Sequence, residues 1–220
     1  MADHLTTLTF AELEYILRSA AVSTAVSAAD LDAVRRRLNF QPGVSTDMVV
    51  AAGIASLVAR GLCGLDGQRV VPGALVRSVI GALSAAHSGT EAAGWMADRP
   101  VVVHLFSSPA ARLAVCPGAY GLFEVELIDP REPLSAPVIR FVDLCTADPG
   151  AATVLVRSQA AGGAAEVGVV VARSSAGAWF VSDVADSAHD AGADTEAAMP
   201  VGRAAVVSRL LDLFAQPVGV

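Results

Sequence analysis

The sequence contains no lysine, and all fifteen of its basic residues are arginine. Without a lysine the chain cannot form a Schiff base, a Ser–Lys dyad or the lysine contact of a phosphate-binding P-loop. Three classes of active site are therefore excluded at once. The bias to Arg, Ala, Val and Gly is typical of a GC-rich coding sequence and indicates an actinobacterial source.

Cysteine is also scarce. The three cysteines, Cys63, Cys116 and Cys145, are far apart and odd in number. No Cys-x-x-Cys or Cys/His spacing occurs, which argues against a zinc site. We expect each thiol to be a small buried apolar side chain in a reducing cytosol.

Long apolar runs are missing, although 54% of the residues are hydrophobic and the mean hydropathy is +0.55. No run approaches the roughly 18 uncharged apolar residues that a membrane helix needs. The first residues carry acids early and lack the basic and apolar regions of a signal peptide. The sequence therefore predicts a cytoplasmic protein with no membrane partner.

Positive charge is too sparse for a nucleic-acid binder. The net charge is −7 and the pI is about 5.0. The one basic cluster, Arg35-Arg36-Arg37, is too short to neutralise many phosphates and is interpreted as the solvated face of a helix. No nucleic-acid partner is predicted.

Sequence motifs of catalysis are missing as well. The chain has no GxSxG, HExxH, GxGxxG, Walker or EF-hand pattern. His104 is interpreted as alternating out of an apolar strand, and the acidic tract from Asp183 to Glu196 as a solvated loop, since its spacing matches no hard-metal site. We expect a non-enzymatic protein with no catalytic, cofactor-binding or metal residues.

Helical patterns dominate residues 1–90. Thr9 and Glu12 form a capping box in front of an apolar stripe that includes Leu13 and Ile16. Residues 47–72 predict a helix, an Asp66-Gly67 turn and a short strand. This order is that of a winged helix, or of a plain helix–hairpin connection.

Strand patterns dominate residues 95–220. Leu122, Glu124 and Glu126 alternate with apolar residues, as in a half-buried strand. Residues 138–144 fit a strand or a short helix. Segments 100–129 and 153–183 are interpreted as two similar halves, and a closing helix from Pro200 buries Val206, Leu210 and Leu213 or Phe214. The predicted fold is a single α+β domain over residues 1–220: antiparallel sheet in the C-terminal two-thirds, covered by N-terminal helices and a C-terminal helix.

The C-terminal segments resemble the end of the EspG-like family of cytosolic proteins associated with type VII (ESX) secretion. The features are the strand Gly168-Val169-Val170, the strand Trp179-Phe180-Val181 and the helix over residues 203–214. The opening LTFAELEYILRSA and the element at residues 59–72 fit the family's N-terminal order. The resemblance implies an ATP-independent chaperone that holds a helical secretion substrate, such as a PE–PPE or WXG100-like pair. It assigns no contact residue, and the oligomeric state stays open.

Two other functions remain open from the residues alone. The first is a transcriptional regulator that uses residues 47–72 as a winged helix and predicts a basic helix face. The second is a hydrolase or transferase in which His104, Asp143 and Cys145 meet in one pocket.

Overall fold

A computed structural model describes residues 5–23, 28–41, 43–84, 88–160, 167–184 and 199–215. Over these residues the chain forms helices at α1 (Phe10–Ser23), α2 (Ala28–Arg37), α3 (Asp47–Ala59), α4 (Ala74–Ser84), α5 (Ser135–Cys145) and α6 (Arg203–Ala215). Its strands are β1 (Leu5–Thr9), β2 (Cys63–Asp66), β3 (Arg69–Pro72), β4 (Ser88–Met96), β5 (Arg99–Ser107), β6 (Arg112–Pro117), β7 (Leu122–Leu127), β8 (Ala152–Ala160), β9 (Val167–Arg173) and β10 (Trp179–Val184).

Eight of the strands form one antiparallel sheet in the order β1-β7-β6-β5-β4-β8-β9-β10, and β2 and β3 form a separate hairpin. The predicted α+β class, with helices packed on an antiparallel sheet, is confirmed. By its internal contacts the chain divides into two compact units. Unit 1 comprises Met1–His87 with His104–Pro130, and unit 2 comprises Ser88–Val103 with Arg131–Val220. The single domain stays a prediction.

In unit 1, helices α1 to α4 and one sheet face enclose a common core. The capping box is confirmed: the Thr9 amide donates to the Glu12 carboxylate at 2.8 Å, and the Glu12 amide donates to the Thr9 hydroxyl at 3.2 Å. The apolar stripe behind it is buried, with Leu13 and Ile16 at 0% exposure. On the sheet side the core takes alternate residues of β7, as the alternation predicted: Phe123 and Val125 are buried, while Glu124 is exposed.

In unit 2, helix α5 packs on β4 and β8, and α6 packs on β9 and β10. The register aligns Val156 with Val169 and Val154 with Val171, and all four side chains are fully buried. Helix α6 completes this core with the predicted stripe, since Val206, Leu210 and Leu213 are its buried residues.

Helices α1 to α4 predominate in the described part of segment 1–90, as predicted, but the strands β1 and β4 were not expected there. The residues LTTLT are short and precede a strong helix signal, but they pair with β7 over five positions. The sequence also predicts a helix that starts near Pro72 and fades at Ser88-Gly89. In the structure α4 spans Ala74–Ser84, and Ser88 begins strand β4, which pairs with β8. The sheet therefore recruits the N-terminal part of the chain as well as the C-terminal two-thirds.

The remaining segments follow the expected order of elements. Segment 100–129 becomes the meander β5-β6-β7, and segment 153–183 becomes the meander β8-β9-β10. Residues 138–144 are helical, within α5. The sequence also predicts a turn at Gly162-Gly163 between two strands; this position and most of the acidic tract lie outside the described residues.

Candidate protein-docking surface

Helix α3 is apolar around its whole circumference. Its thirteen residues, DMVVAAGIASLVA, include only Asp47 and Ser56 as polar side chains. A helix that is hydrophobic all round is normally buried on every side, yet one side of α3 is exposed. Its exposed apolar residues recur every three to four positions and form one line, here named the α3 stripe: Met48, Ala51, Ala52, Ala55 and Ala59.

The opposite side of α3 is packed very closely on α1. Leu57 is fully buried, and Gly53 lies directly against the α1 backbone. A Cβ at position 53 would stand 2.0 Å from the carbonyl oxygen of Ala11, which no side chain can tolerate. Glycine at this position therefore allows the close contact that fixes α3 in place.

A buried carboxylate ties the C-terminal half of α3 to α1. Glu12 is fully buried, and it accepts hydrogen bonds from the Ser56 hydroxyl at 2.7 Å and from Arg60 at 2.8 Å. Burial acts to raise the pKa of Glu12, but the hydrogen bonds from Thr9, Ser56 and Arg60 outweigh it and hold the pKa below its ordinary value. Glu12 therefore stays ionised and paired at neutral pH.

A second buried carboxylate fixes the segment that leads into α3. Glu14 is fully buried and accepts a hydrogen bond from Arg35 at 2.7 Å and a short one from the Ser45 hydroxyl. Arg18 donates to the Ser45 carbonyl at 3.0 Å and to Asp47 at 2.6 Å. The segment that leads into α3 is thus tied to α1 and α2.

Arg35 corrects the interpretation of the arginine cluster as a solvated face. Its side chain is 23% exposed and pairs with Glu14, whereas Arg36 is exposed. A buried carboxylate needs a charged partner, and Arg35 supplies it.

The two carboxylate networks and the glycine contact make α3 a rigid support. The α3 stripe on this support is apolar, with Met48 82% exposed at one end. Exposed apolar surface on a well-fixed element is typical of a site where another molecule docks. None of its five side chains is titratable or nucleophilic, so the stripe offers an apolar surface.

The hairpin that follows α3 tests the winged-helix hypothesis. The predicted order of helix, turn and strand is confirmed. The β2–β3 hairpin follows the end of α3, where the amide of Leu62, the residue before β2, donates to the Leu57 carbonyl at 2.9 Å. A helix that reads nucleic acid presents basic residues to phosphates. The α3 stripe has none, and Arg60 is already held by Glu12. The charge distribution of the helix therefore does not favour the regulator.

Asp143 and Cys145, two of the residues proposed for a hydrolase, point to different sides of α5. They are two positions apart, which on an α-helix is about 200°. Asp143 is exposed and accepts a hydrogen bond from Arg203 at 3.0 Å. Cys145 is buried, with its sulfur 3.0 Å from where a Cβ on Gly94 would stand, and burial raises the pKa of its thiol. The two side chains do not form a catalytic pair.

His104, the third of these residues, lies on β5 in unit 1. Its side chain is 3% exposed, so the prediction that it alternates out of the strand is wrong. Burial, with a smaller effect of the positive charge of Arg37, lowers the pKa of His104 to about 4. At neutral pH the imidazole is uncharged, as expected of a histidine in a core.

A polar cluster in unit 2 surrounds Trp179. Two guanidinium groups lie over its ring, with Arg203 at 5.5 Å and Arg173 at 6.0 Å from the ring centre. Arg173 also donates to the carbonyls of Thr146 and Asp148 at 3.0 and 3.1 Å. These contacts fasten the start of α6 and the end of α5 to the sheet.

Over the described residues, no group of three or more His, Cys, Asp or Glu side chains is placed to hold a metal ion. The longest described helix, α1, has 14 residues, and none of the described helices combines the length and apolar character needed to cross a bilayer.

Comparison with known proteins adds no assignment. No protein-family model matches the sequence, and no curated protein is significantly similar to it.

Sequence reasoning treated α3 only as part of a helix–hairpin unit and missed the α3 stripe. The sequence does contain a signal for this surface. The spacing from Met48 to Ala59 places five apolar residues on one side of the helix, and the side that carries Gly53 and Leu57 is apolar as well. A helix with two apolar sides is expected to have two neighbours.

Proposed function

We propose that this protein is a non-enzymatic chaperone or adaptor that binds an apolar helical segment of another protein. The observation that carries the proposal is the α3 stripe. It is exposed and apolar, whereas the opposite side of α3 is packed on α1. Hydrogen bonds to the buried Glu12 and Glu14 hold this helix and the segment before it in place.

The shape of the α3 stripe favours a helix as the bound segment. Four of its five residues are alanines, and small side chains let two helices approach to the short end of the usual 8–10 Å separation. Met48 at one end supplies a flexible apolar contact that adapts to different partners. A partner helix would bury its own apolar face there and be kept from aggregating.

The resemblance to EspG-like proteins supports the same proposal from a separate direction. Those proteins hold helical type VII secretion substrates in the cytosol, and the partner proposed here is of that class: a PE–PPE or WXG100-like helical pair. The cytoplasm is the matching location.

Site-specific photo-crosslinking in the native host tests the proposal. A photoreactive amino acid is placed at Ala55, in the middle of the α3 stripe, and for comparison at Ala21, an exposed alanine of α1 in the same unit. We expect one discrete adduct from position 55, whose partner is identified by mass spectrometry as a helical protein, and no such adduct from position 21.

Three results would refute the proposal. One is equal crosslinking from both positions, another is no adduct from position 55, and the third is turnover of a small-molecule substrate by the purified chain.

A further inference from the structure

The outer edge of strand β1 is closed by side chains. Among the described strands β1 pairs with β7 alone, so its other edge has no strand partner there. Its sequence, LTTLT, carries no charge and no proline, which are the usual protections of an edge strand. Strand β1 by itself is therefore well suited to accept a further strand.

An ion pair occupies two of the backbone groups that such a strand would need. Arg60 donates from one nitrogen to the Thr7 carbonyl at 2.9 Å and from another to Glu12 at 2.8 Å. Glu12 in turn accepts the Thr9 amide at 2.8 Å. In an antiparallel ladder, residues two apart direct their backbone groups to the same side. The Thr7 carbonyl and the Thr9 amide therefore both lie on the edge away from β7.

We propose that the Arg60–Glu12 pair guards the edge of β1 against strand addition, and that opening the guard lets β1 pair antiparallel with β1 of a second copy. The strand is suited to self-pairing. With Thr7 on a two-fold axis, Thr7 faces its own copy, Leu5 faces Thr9, and no like charges meet. Such a contact is isologous and closes as a dimer.

This inference does not rest on the proposed function: Glu12 and Arg60 help to fix α3 in place, but the edge of β1 is separate from the α3 stripe. A chain that binds no partner would still carry the guard.

Two variants open the guard at the Thr7 carbonyl, and both also weaken the tie between α1 and α3 that Glu12 and Arg60 form. Arg60→Lys keeps a positive charge for Glu12, but one ammonium group cannot also span to the Thr7 carbonyl as the guanidinium does. Glu12→Gln with Arg60→Gln removes both charges together, so that neither is left buried alone. Circular dichroism confirms the fold of each variant, and the milder Arg60→Lys serves if the double variant does not fold.

Light scattering after size exclusion, over a wide range of protein concentration, measures the outcome. We expect the molar mass of the opened variants to rise to twice that of the wild type as concentration increases. Adding Thr7→Pro should abolish the rise, because the Thr7 amide points away from β7 and proline there blocks the edge without removing a ladder bond. A folded variant that associates no more than the wild type overturns the inference, and so does association that persists with Thr7→Pro.

Discussion

Replacing Gly53 with alanine tests whether the contact between α1 and α3 is as tight as the structure shows. The added Cβ would stand 2.0 Å from the Ala11 oxygen and 2.6 Å from the Ala11 carbon. Both atoms belong to the backbone of the first turn of α1, so no side chain can turn aside to relieve the clash. Helix α3 must therefore move away from α1 until the new Cβ and the Ala11 oxygen are at an ordinary van der Waals distance.

The cost follows from that movement. Overpacking a close-packed site costs about 1–3 kcal/mol, and contact with backbone places this case near about 3 kcal/mol. Alanine in a helix interior returns about 1 kcal/mol relative to glycine. The net loss is about 2 kcal/mol, which for a chain of this size lowers Tm by about 4–8 °C. The shift also strains the 2.7 Å hydrogen bond between Ser56 and Glu12.

Gly81→Ala in α4 is the matched control. A Cβ there would meet only the Ala110 methyl at 3.4 Å, an ordinary contact, so the propensity gain of up to about 1 kcal/mol remains. Urea unfolding followed by circular dichroism gives the free energy of unfolding of both variants. Equal stability of Gly53→Ala and Gly81→Ala would refute the tight contact and with it the rigid support for the α3 stripe.

Three further predictions concern single side chains. The pKa of His104 lies at about 4 against an ordinary 6.5, so the unfolded chain binds the proton first as pH falls, and stability is lost between these values. Between pH 7 and pH 5, the free energy of unfolding in urea should fall less in His104→Gln than in the wild type. An equal fall would contradict the lowered pKa of His104. The pKa of Glu12 is lowered below 4.5, so the stability from its ionised form is present at neutral pH and lost as pH falls through the folded pKa. In urea unfolding at a series of acid pH values, Glu12→Gln should lose less stability on acidification than the wild type. An equal loss in both proteins would mean that another group causes it. Arg203→Leu removes the contact with the Trp179 ring and the ion pair with Asp143, which should lower the free energy of unfolding by about 1 kcal/mol. In a Trp95→Phe background the fluorescence of Trp179 should change as well. An unaltered spectrum would mean that the ring does not contact Arg203.

Local signals in the sequence predicted the parts of the fold that depend on near neighbours. The Thr9–Glu12 capping box, the alternation along β7 and the buried stripe of α6 are each contained within one element. In each case the spacing of side chains follows directly from the geometry of a helix or a strand. Such features need no knowledge of what the element packs against.

The features that were missed depend on partners far along the chain. Strand β1 is short and gains its stability from β7, more than a hundred residues away. Glu12 and Glu14 look like surface residues of an amphipathic helix, but Arg60 and Arg35 lie 48 and 21 residues further on and neutralise them in the core. The prediction for His104 was wrong because β5 is buried on both faces from Val103 to Phe106. A strand of this kind does not show the alternation of buried and exposed residues that a half-buried strand has.

The most direct test of the docking surface is the affinity of purified variants for the protein crosslinked at position 55. Ala55→Arg places a charge in the centre of the α3 stripe without touching the core, and Ala21→Arg places the same charge on an exposed position of α1. We predict that both variants fold as stably as the wild type. We also predict that Ala55→Arg loses at least about tenfold in affinity, or about 1.4 kcal/mol, while Ala21→Arg binds unchanged. Unchanged binding by Ala55→Arg would contradict the assignment of α3 as the docking surface.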